Sequence, residues 1–143
     1  MRGDRRQNVG VLNERQRRFL EGPRFGTLAT VDPDGSPHLT VMWYVLDGDK
    51  IMFNTAHGRR KPSNLERDGR VALLVADGYS FVRLTGNARG SATGEAALED
   101  IRRLAVRYDG EASAEQQMAR FRTMERVSYR FRIQRVYSSV DLR

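Results

Sequence analysis

The fold is decided by residues 25–55, which read FGTLATVDPDGSPHLTVMWYVLDGDKIMFNT. Three segments rich in β-branched and apolar residues are separated by two turn signals, one at 32–35 and one at 47–49. In the first turn Pro33 presets one φ angle and Gly35 supplies a positive one. The stretch therefore predicts an antiparallel three-stranded meander, with strands over 25–31, 37–46 and 50–55.

More strands and several helices are predicted outside the meander. Further strands are expected over 70–77, 79–91 and 129–139, the first as a run of consecutive apolar residues that is typical of burial on both faces. Helices are expected at four places: from an Asn13 cap to Leu20, over 62–67, from Ser91 or Thr93 to Asp109, and from a Ser113–Gln116 capping box onward.

Six strands with peripheral helices predict a mainly β (α+β) protein. We expect a small closed or partly closed antiparallel barrel, because closure removes the exposed edges that short strands otherwise present. A two-layer α+β sheet is the structural alternative. At 143 residues the chain is expected to form one domain over 1–143, with residues 1–10 as a flexible start.

Composition excludes several classes of protein. The chain has no cysteine, which excludes disulfides, thiolate metal sites and a thiol nucleophile. The longest apolar runs, Val41–Leu46 and Val71–Ala76, are far shorter than the roughly 20 residues of a membrane span. We therefore expect a cytoplasmic protein that does not associate with a membrane.

The net charge of +7 is concentrated in three islands, and 23 of the 25 basic residues are arginine. The two terminal islands are spread over amphipathic or alternating segments, unlike the dense basic arms that bind nucleic acid, so no nucleic-acid partner is expected. Codon usage accounts for the arginine-rich ends. The central island, residues 57–70, is compact and carries five basic and two acidic residues.

This central island has the features of a phosphate site. Gly58 precedes three cations, Arg59, Arg60 and Lys61, and a predicted helix begins just after them with Asn64 in its first turns. Helix N-terminal amides and cationic side chains both favour a bound anion. A solvated basic loop is the alternative interpretation.

Side chains for acid–base or metal chemistry are sparse. His38 and His57 lie 19 residues apart with no carboxylate at ligand spacing, and there is no nucleophile elbow, so neither a metal site nor a catalytic side chain is predicted. Tyr44, Tyr79 and His38 are candidate proton donors, with packing or surface roles as the alternative. Both faces of the strand over 37–46 are large and apolar, so one face needs a partner subunit or a flat ligand.

Four motifs carry a family resemblance, at 26–30 (GTLAT), 34–38 (DGSPH), 41–44 (VMWY) and 54–71 (NTAHGRRKPSNLERDGRV). They resemble the split β-barrel flavin and deazaflavin oxidoreductases, the superfamily that includes pyridoxamine 5′-phosphate oxidase. The nearest likeness is to its small proteins that use coenzyme F420. The resemblance implies a homodimer with two cofactor sites at the subunit interface.

The resemblance also assigns residues to the cofactor. Arg59, Lys61 and Asn64 match positions that hold its phosphate and acidic tail, with Arg60 in the same cationic stretch. The strand end beside the ribityl chain is matched by Asn54, Thr55 and Ala56. The strand that lies against the ring is matched by Thr40, Val41 and Met42. A segment that the other subunit contributes is matched by Tyr79, Ser80 and Phe81.

The resemblance implies hydride transfer between the C5 atom of the cofactor and a small apolar acceptor. F420 is favoured over FMN, because its phosphodiester and several carboxylates suit a broad cationic groove in which Arg67 and Arg70 join the three cations at 59–61. An FMN-binding oxidoreductase or flavin reductase is the first alternative. A non-catalytic carrier of a cofactor or tetrapyrrole is the second.

Overall fold

The structure is a computed structural model that describes residues 6–9, 12–139 and 142. Within these residues it contains ten strands and four helices. In chain order they are β1 (Arg6–Val9), α1 (Glu14–Glu21), β2 (Gly26–Val31), β3 (Pro37–Met42), β4 (Val45–Asp47), β5 (Lys50–Ala56), α2 (Arg60–Arg67), β6 (Arg70–Asp77), β7 (Ser80–Asn87), β8 (Arg89–Thr93), α3 (Gly94–Asp109), α4 (Glu111–Phe121), β9 (Arg126–Arg132) and β10 (Arg135–Ser138).

The strands form two antiparallel sheets. The order in the first sheet is β1-β10-β7-β6-β2-β3 and in the second β4-β5-β9-β8. The chain passes between the sheets once through α2 and three times at sharp corners, at residues 43–44, at Ala88 and at residues 133–134. The mainly β (α+β) class, an antiparallel split barrel with peripheral helices, is confirmed. Ten strands replace the predicted six for two reasons. Three predicted strands, over 37–46, 79–91 and 129–139, each bend at one of these corners, and β1 forms in the stretch expected to be flexible.

The core has two parts. The first fills the space between the sheets with side chains such as Leu28, Phe53 and Leu84. The second lies on the outer face of the second sheet, where α3 and α4 cover Met52. Strand β5 is therefore buried on both faces. The run of apolar residues at 70–77 predicts this double burial for β6 instead.

Strand β6 alternates between buried and accessible residues, so the prediction that both of its faces are buried is wrong. Its outward residue Leu74 is 40% exposed, and it flanks Thr27 of β2, which pairs with the exposed Val41 of β3 on the other side. An apolar sequence run does not distinguish a face covered by the chain itself from one left open.

The ends of the helices agree with the prediction at one site and differ at another. Asn13 caps α1 through a capping box with Gln16, as predicted. The predicted Ser113 cap is wrong, because Gly110, with φ of +88°, ends α3 and begins α4 in a single residue. The start expected to be flexible contains β1, which pairs with β10, while residues 1–5 and 10 lie outside the described residues.

The corner at residues 43–44 is held by hydroxyl groups. Tyr44 is fully buried, and its hydroxyl donates to the Leu20 carbonyl at 2.7 Å. Tyr108 of α3 accepts from the Tyr44 amide at 3.2 Å and donates to the Arg24 carbonyl at 2.7 Å. The Tyr108 ring stacks on Trp43 and on Phe25, with centroids 5.3 and 5.7 Å apart. Helix α3 thus fixes both the corner and an aromatic wall beside it.

No helix in the described part of the chain is long and apolar enough to cross a membrane.

The Tyr108 hydroxyl is expected to contribute measurably to stability. Tyr108→Phe keeps the ring stack but leaves the Tyr44 amide and the Arg24 carbonyl without their partner, so the free energy of unfolding should fall by about 1–2 kcal/mol. Urea unfolding measures this change. Tyr79→Phe is the matched control, because Tyr79 is 99% exposed, and its unfolding midpoint should equal that of the wild type. Equal midpoints for both variants would contradict the assigned role of Tyr108.

Candidate functional site

A cavity of about 410 Å³ lies where the two sheets separate, beneath α3 and the end of α4. The end of β3, the end of β5, the α2 start and the first residue of β9 complete its wall. Its lining is Phe25, Val41, Met42, Trp43, Asn54, Thr55, Arg59, Lys61, Ile101, Leu104, Arg120, Phe121, Met124 and Arg126. The lining combines apolar and aromatic side chains with four cations, which come from the start of α2, the end of α4 and the first residue of β9.

Four cations and no carboxylate line this cavity. Among the described residues, none of Arg59, Lys61, Arg120 and Arg126 forms an ion pair, although ten other pairs occur. Arg126 is only 9% exposed. A buried charge without a counter-charge costs several kcal/mol, so the arrangement favours binding of an anion.

Burial and mutual repulsion change the acidity of two of these cations. Desolvation, followed by the charges of Arg59 and Arg126, lowers the pKa of Lys61 to about 8. Desolvation, followed by Arg59 and Arg120, lowers the pKa of Arg126 to about 10. A bound anion would oppose both shifts, because it stabilises the charged forms.

Asn54 connects three elements behind the cavity wall. Its amide nitrogen donates to the Ala97 carbonyl at 2.9 Å and to the Ser128 hydroxyl at 3.0 Å. Its amide oxygen accepts from Nε of Arg126 at 2.8 Å. The orientation of the amide is determined by its neighbours, since a carbonyl only accepts and a guanidinium only donates.

Six of the thirteen residues assigned to the cofactor lie together in this cavity: Val41, Met42, Asn54, Thr55, Arg59 and Lys61. Two others, Arg60 and Asn64, line a neighbouring cavity of about 550 Å³ together with Arg59 and Arg67. Because Arg59 borders both cavities, they are adjacent.

Asn64 and Arg60 already have protein partners. Asn64 is buried, and its amide nitrogen donates to the Thr30 hydroxyl and to Asp32, both at 3.0 Å, while its oxygen accepts from Arg67 at 3.2 Å. Arg60 is 3.8 Å from the Asp32 carboxylate. In this structure Asn64 fastens α2 to the turn between β2 and β3.

The remaining five assigned residues lie outside both cavities. Ala56 is buried, and the hydroxyl oxygen of Thr40 is buried without a hydrogen-bond partner. Tyr79 stands exposed at the turn between β6 and β7, followed by Ser80 and Phe81. Their predicted contribution to a site on another subunit stays a prediction.

Tyr44, one of the candidate proton donors, faces the core. Its hydroxyl is engaged by the Leu20 carbonyl, and burial, followed by the neighbouring Tyr108, raises its pKa. A buried phenol that is harder to ionise and already donates its proton to a carbonyl is not suited to proton transfer.

The sequence did not single out the cations from the far side of the cavity. Arg120 and Arg126 belong to the terminal basic island that was explained by codon usage. The pairing of β5 with β9 brings Arg126 opposite Ala56, and α4 delivers Arg120. No local sequence signal pointed to Arg126, because it precedes the predicted strand over 129–139 and its burial follows from the pairing of β9 with β5.

The two sheets define a split barrel with a cation-lined cavity between them. Comparison with known families matches residues 12–139 to pyridoxamine 5′-phosphate oxidase. The chain belongs to this family.

Three solved structures are similar to the chain. A conserved hypothetical protein of Mycobacterium tuberculosis is 31% identical, with a TM-score of 0.73 over 94% of this chain and 90% of that one. A protein described as an F420 reductase is 26% identical, with a TM-score of 0.70 over 92% of this chain and 100% of that one. HupZ of Group A Streptococcus, at 16% identity and a TM-score of 0.65 over 90% and 94% of the two chains, supports the fold alone.

Lys61 is expected to destabilise the folded protein at neutral pH. The folded state binds its proton less tightly than the unfolded state, so the penalty is fully present below pH 8 and declines as pH rises from 8 towards the ordinary lysine pKa of 10.5. Lys61→Met should therefore raise the free energy of unfolding at pH 7 by about 1–3 kcal/mol, and by less at pH 9.5.

Urea unfolding of variant and wild type at both pH values measures this difference. Lys50→Met is the matched control, because Lys50 is the only other lysine and is exposed. A gain in stability of the Lys61 variant that is the same at both pH values would contradict the assigned cause.

Proposed function

We propose that this protein is an F420-dependent oxidoreductase that transfers a hydride between C5 of the cofactor and a small apolar acceptor. The observation that carries the proposal is a cavity with four cations and no carboxylate in its lining, directly beside an apolar and aromatic wall. Such a lining suits a ligand that is anionic at one end and flat and apolar at the other.

The residues present fit a deazaflavin cofactor. Arg59 and Lys61 would bind its phosphate, and Val41 and Met42 would lie against its ring. Thr40, on the same strand, lies outside the cavity lining, and its predicted contact with the cofactor rests on the resemblance; its hydroxyl oxygen is buried without a hydrogen-bond partner in the described part of the chain. A buried polar atom without a hydrogen bond is unusual in a folded protein.

The adjacent second cavity favours F420 over FMN. Arg59 borders both cavities, and Arg60 and Arg67 add two further cations to the second, whose lining also contains Asp32 and Asp34. A tail with a phosphodiester and several carboxylates would continue past Arg59 into this space. FMN carries a single phosphate, which Arg59 and Lys61 already satisfy.

The bound cofactor would supply the hydride chemistry, and the protein would supply orientation and exclusion of water. Trp43 and Phe25, fixed by the Tyr108 stack, would form the flat wall. The lysine and the arginines would orient the cofactor by charge. No side chain is assigned as the proton donor.

A homodimer is the second part of the proposal. The outward face of β2, β3 and β6 carries exposed apolar side chains, with Leu39 62% and Val41 69% exposed. Val41 also lines the cavity, so a second copy that covered this face would cover the cavity mouth as well. This arrangement agrees with cofactor sites at the subunit interface, to which Tyr79, Ser80 and Phe81 of the other copy would contribute.

The cofactor assignment is tested by fluorescence titration with F420 and with FMN in parallel. Wild-type protein should bind F420 more tightly. Arg59→Ala and Lys61→Ala should each weaken F420 binding by about 1.5–3 kcal/mol, since each removes a charge-assisted hydrogen bond, and added salt should weaken it further. Lys50→Ala should bind as the wild type does.

Preferential binding of FMN would refute the F420 assignment and favour the alternative, an FMN-binding oxidoreductase on the same barrel. Unchanged affinity in both the Arg59 and the Lys61 variant would refute the phosphate site. If reduced F420 binds but no acceptor is ever turned over, the protein is a carrier and the enzymatic part of the proposal is wrong.

The dimer is tested by placing a charge on the apolar face. Leu74→Arg should convert a dimer into a monomer, because an unpaired arginine would be buried at the interface. Light scattering coupled to size-exclusion chromatography measures the mass. Ala96→Arg, on the exposed side of α3, adds the same charge elsewhere and should leave the dimer intact. A monomeric wild-type protein would refute the assembly.

A further inference from the structure

The guanidinium of Arg126 has donors to spare in the cavity. Of its five N–H groups, Nε is used by Asn54 at 2.8 Å, and Nη1 lies 3.3 Å from the Met124 sulfur. Within the described residues, Nη2 has no hydrogen-bond partner. A guanidinium fork that is held at one edge and free at the other is preorganised for a planar carboxylate.

Asn54 holds this fork in place and has little capacity left for a ligand. Both of its amide N–H groups are used, by Ala97 and Ser128, and one lone pair of its oxygen accepts from Arg126. The resemblance implied that Asn54 lies beside the ribityl chain. Its hydrogen bonds indicate that it acts through Arg126, which makes it a positioning residue.

The surroundings of Arg126 suit a flat apolar body joined to the anionic group. The Arg126 and Arg120 guanidinium carbons lie 5.2 and 5.5 Å from the centre of the Phe121 ring. Ile101 and Leu104 of α3, together with Trp43, continue the apolar lining.

Arg126 lies away from the expected course of the cofactor tail. Arg59 borders both cavities, whereas Arg120 and Arg126 border only the first. A tail that continues past Arg59 into the second cavity therefore leaves the cations of α4 and β9 without a counter-charge. The acceptor is the remaining molecule that would supply one.

We propose that Arg126, positioned by Asn54, recognises a carboxylate on the hydride acceptor, and that the acceptors are planar conjugated or aromatic carboxylates. The identification of this ligand as the hydride acceptor rests on the proposed function. The binding of an aromatic carboxylate at Arg126 does not depend on that function.

The site is tested first on the cofactor-free protein with two probes of equal shape, 2-naphthoate and 2-naphthamide. Calorimetric titration should show that wild-type protein binds naphthoate at least 10-fold more tightly than naphthamide. Arg126→Gln should abolish this preference while leaving naphthamide affinity unchanged, and Arg126→Lys should retain part of it. Arg122→Gln, a nearby arginine outside the cavity lining that pairs with Glu95, should bind both probes as the wild type does.

Asn54→Leu tests the positioning role. It keeps the charge of Arg126 but removes the amide that holds the guanidinium in place. The preference for naphthoate should therefore fall several-fold, with the affinity for naphthamide again unchanged. Urea unfolding verifies that each variant is folded, and Arg126→Gln is not expected to lose stability because it removes a buried charge. Equal affinity of the wild type for the two probes, or equal losses for both probes in the Arg126 variants, would overturn the proposal.

A second set of titrations separates the acceptor from the cofactor. If F420 affinity falls at least 10-fold in Arg126→Gln, the recognised carboxylate belongs to the cofactor tail and the acceptor assignment is wrong. If F420 affinity is retained, the KM for a carboxylate acceptor should rise in this variant, whereas the KM for its methyl ester should not. If F420 binds to no form of the protein while the naphthoate preference still depends on Arg126, the proposed function fails and the carboxylate site stands.

Discussion

The site depends on the corner at residues 43–44, where the chain leaves the first sheet and enters the second. Side chains alternate along a strand, so a straight continuation of β3 would have kept Trp43 on the face of Val41. The buried Tyr44, tied to the Leu20 carbonyl, ends that alternation, and Tyr108 stacks on the Trp43 ring. The sheets diverge from this corner, and the cavity occupies the space between them. The packing that closes the barrel therefore also forms the flat wall of the site.

The burial of charged side chains connects the packing of the barrel to the binding of a ligand. Arg126 enters the cavity from β9 because that strand pairs with β5, and Lys61 enters from the first turn of α2, which follows β5. Desolvation, followed by the charges of neighbouring arginines, lowers the pKa of both side chains, which means that the folded chain holds repelling charges together. Tertiary packing supplies the free energy for this arrangement, and a ligand with negative charge recovers part of it. The uncompensated positive charge of the cavity is thus built into the fold before any ligand arrives.

Local chemistry explains which features the sequence predicted. The proline and glycine turn at 32–35 and the Asn13 cap depend on neighbouring residues, and the family motifs lie within one continuous region. The start of α2 was predicted less well, because the helix begins at Arg60 rather than at Pro62. Arg126 lies 65 positions after Lys61 and reaches the cavity only through strand pairing. Its burial also depends on α4, whose start was predicted incorrectly. A run of apolar residues such as 71–76 likewise cannot indicate whether a neighbouring element covers its second face.

The two cationic groups of the cavity belong to different parts of the fold. Arg59 and Lys61 follow β5 in the region that carries the family motifs, and the asparagine that accompanies them, Asn64, is occupied in fastening α2 to the barrel. Arg120 and Arg126 come from the end of the helical hairpin and the strand after it, a region to which the motifs do not extend. Changes in the hairpin can therefore alter the second group without disturbing the first. Under the proposed function, this division of labour means that the barrel would determine which cofactor is held, and the hairpin would determine which acceptor is presented to it.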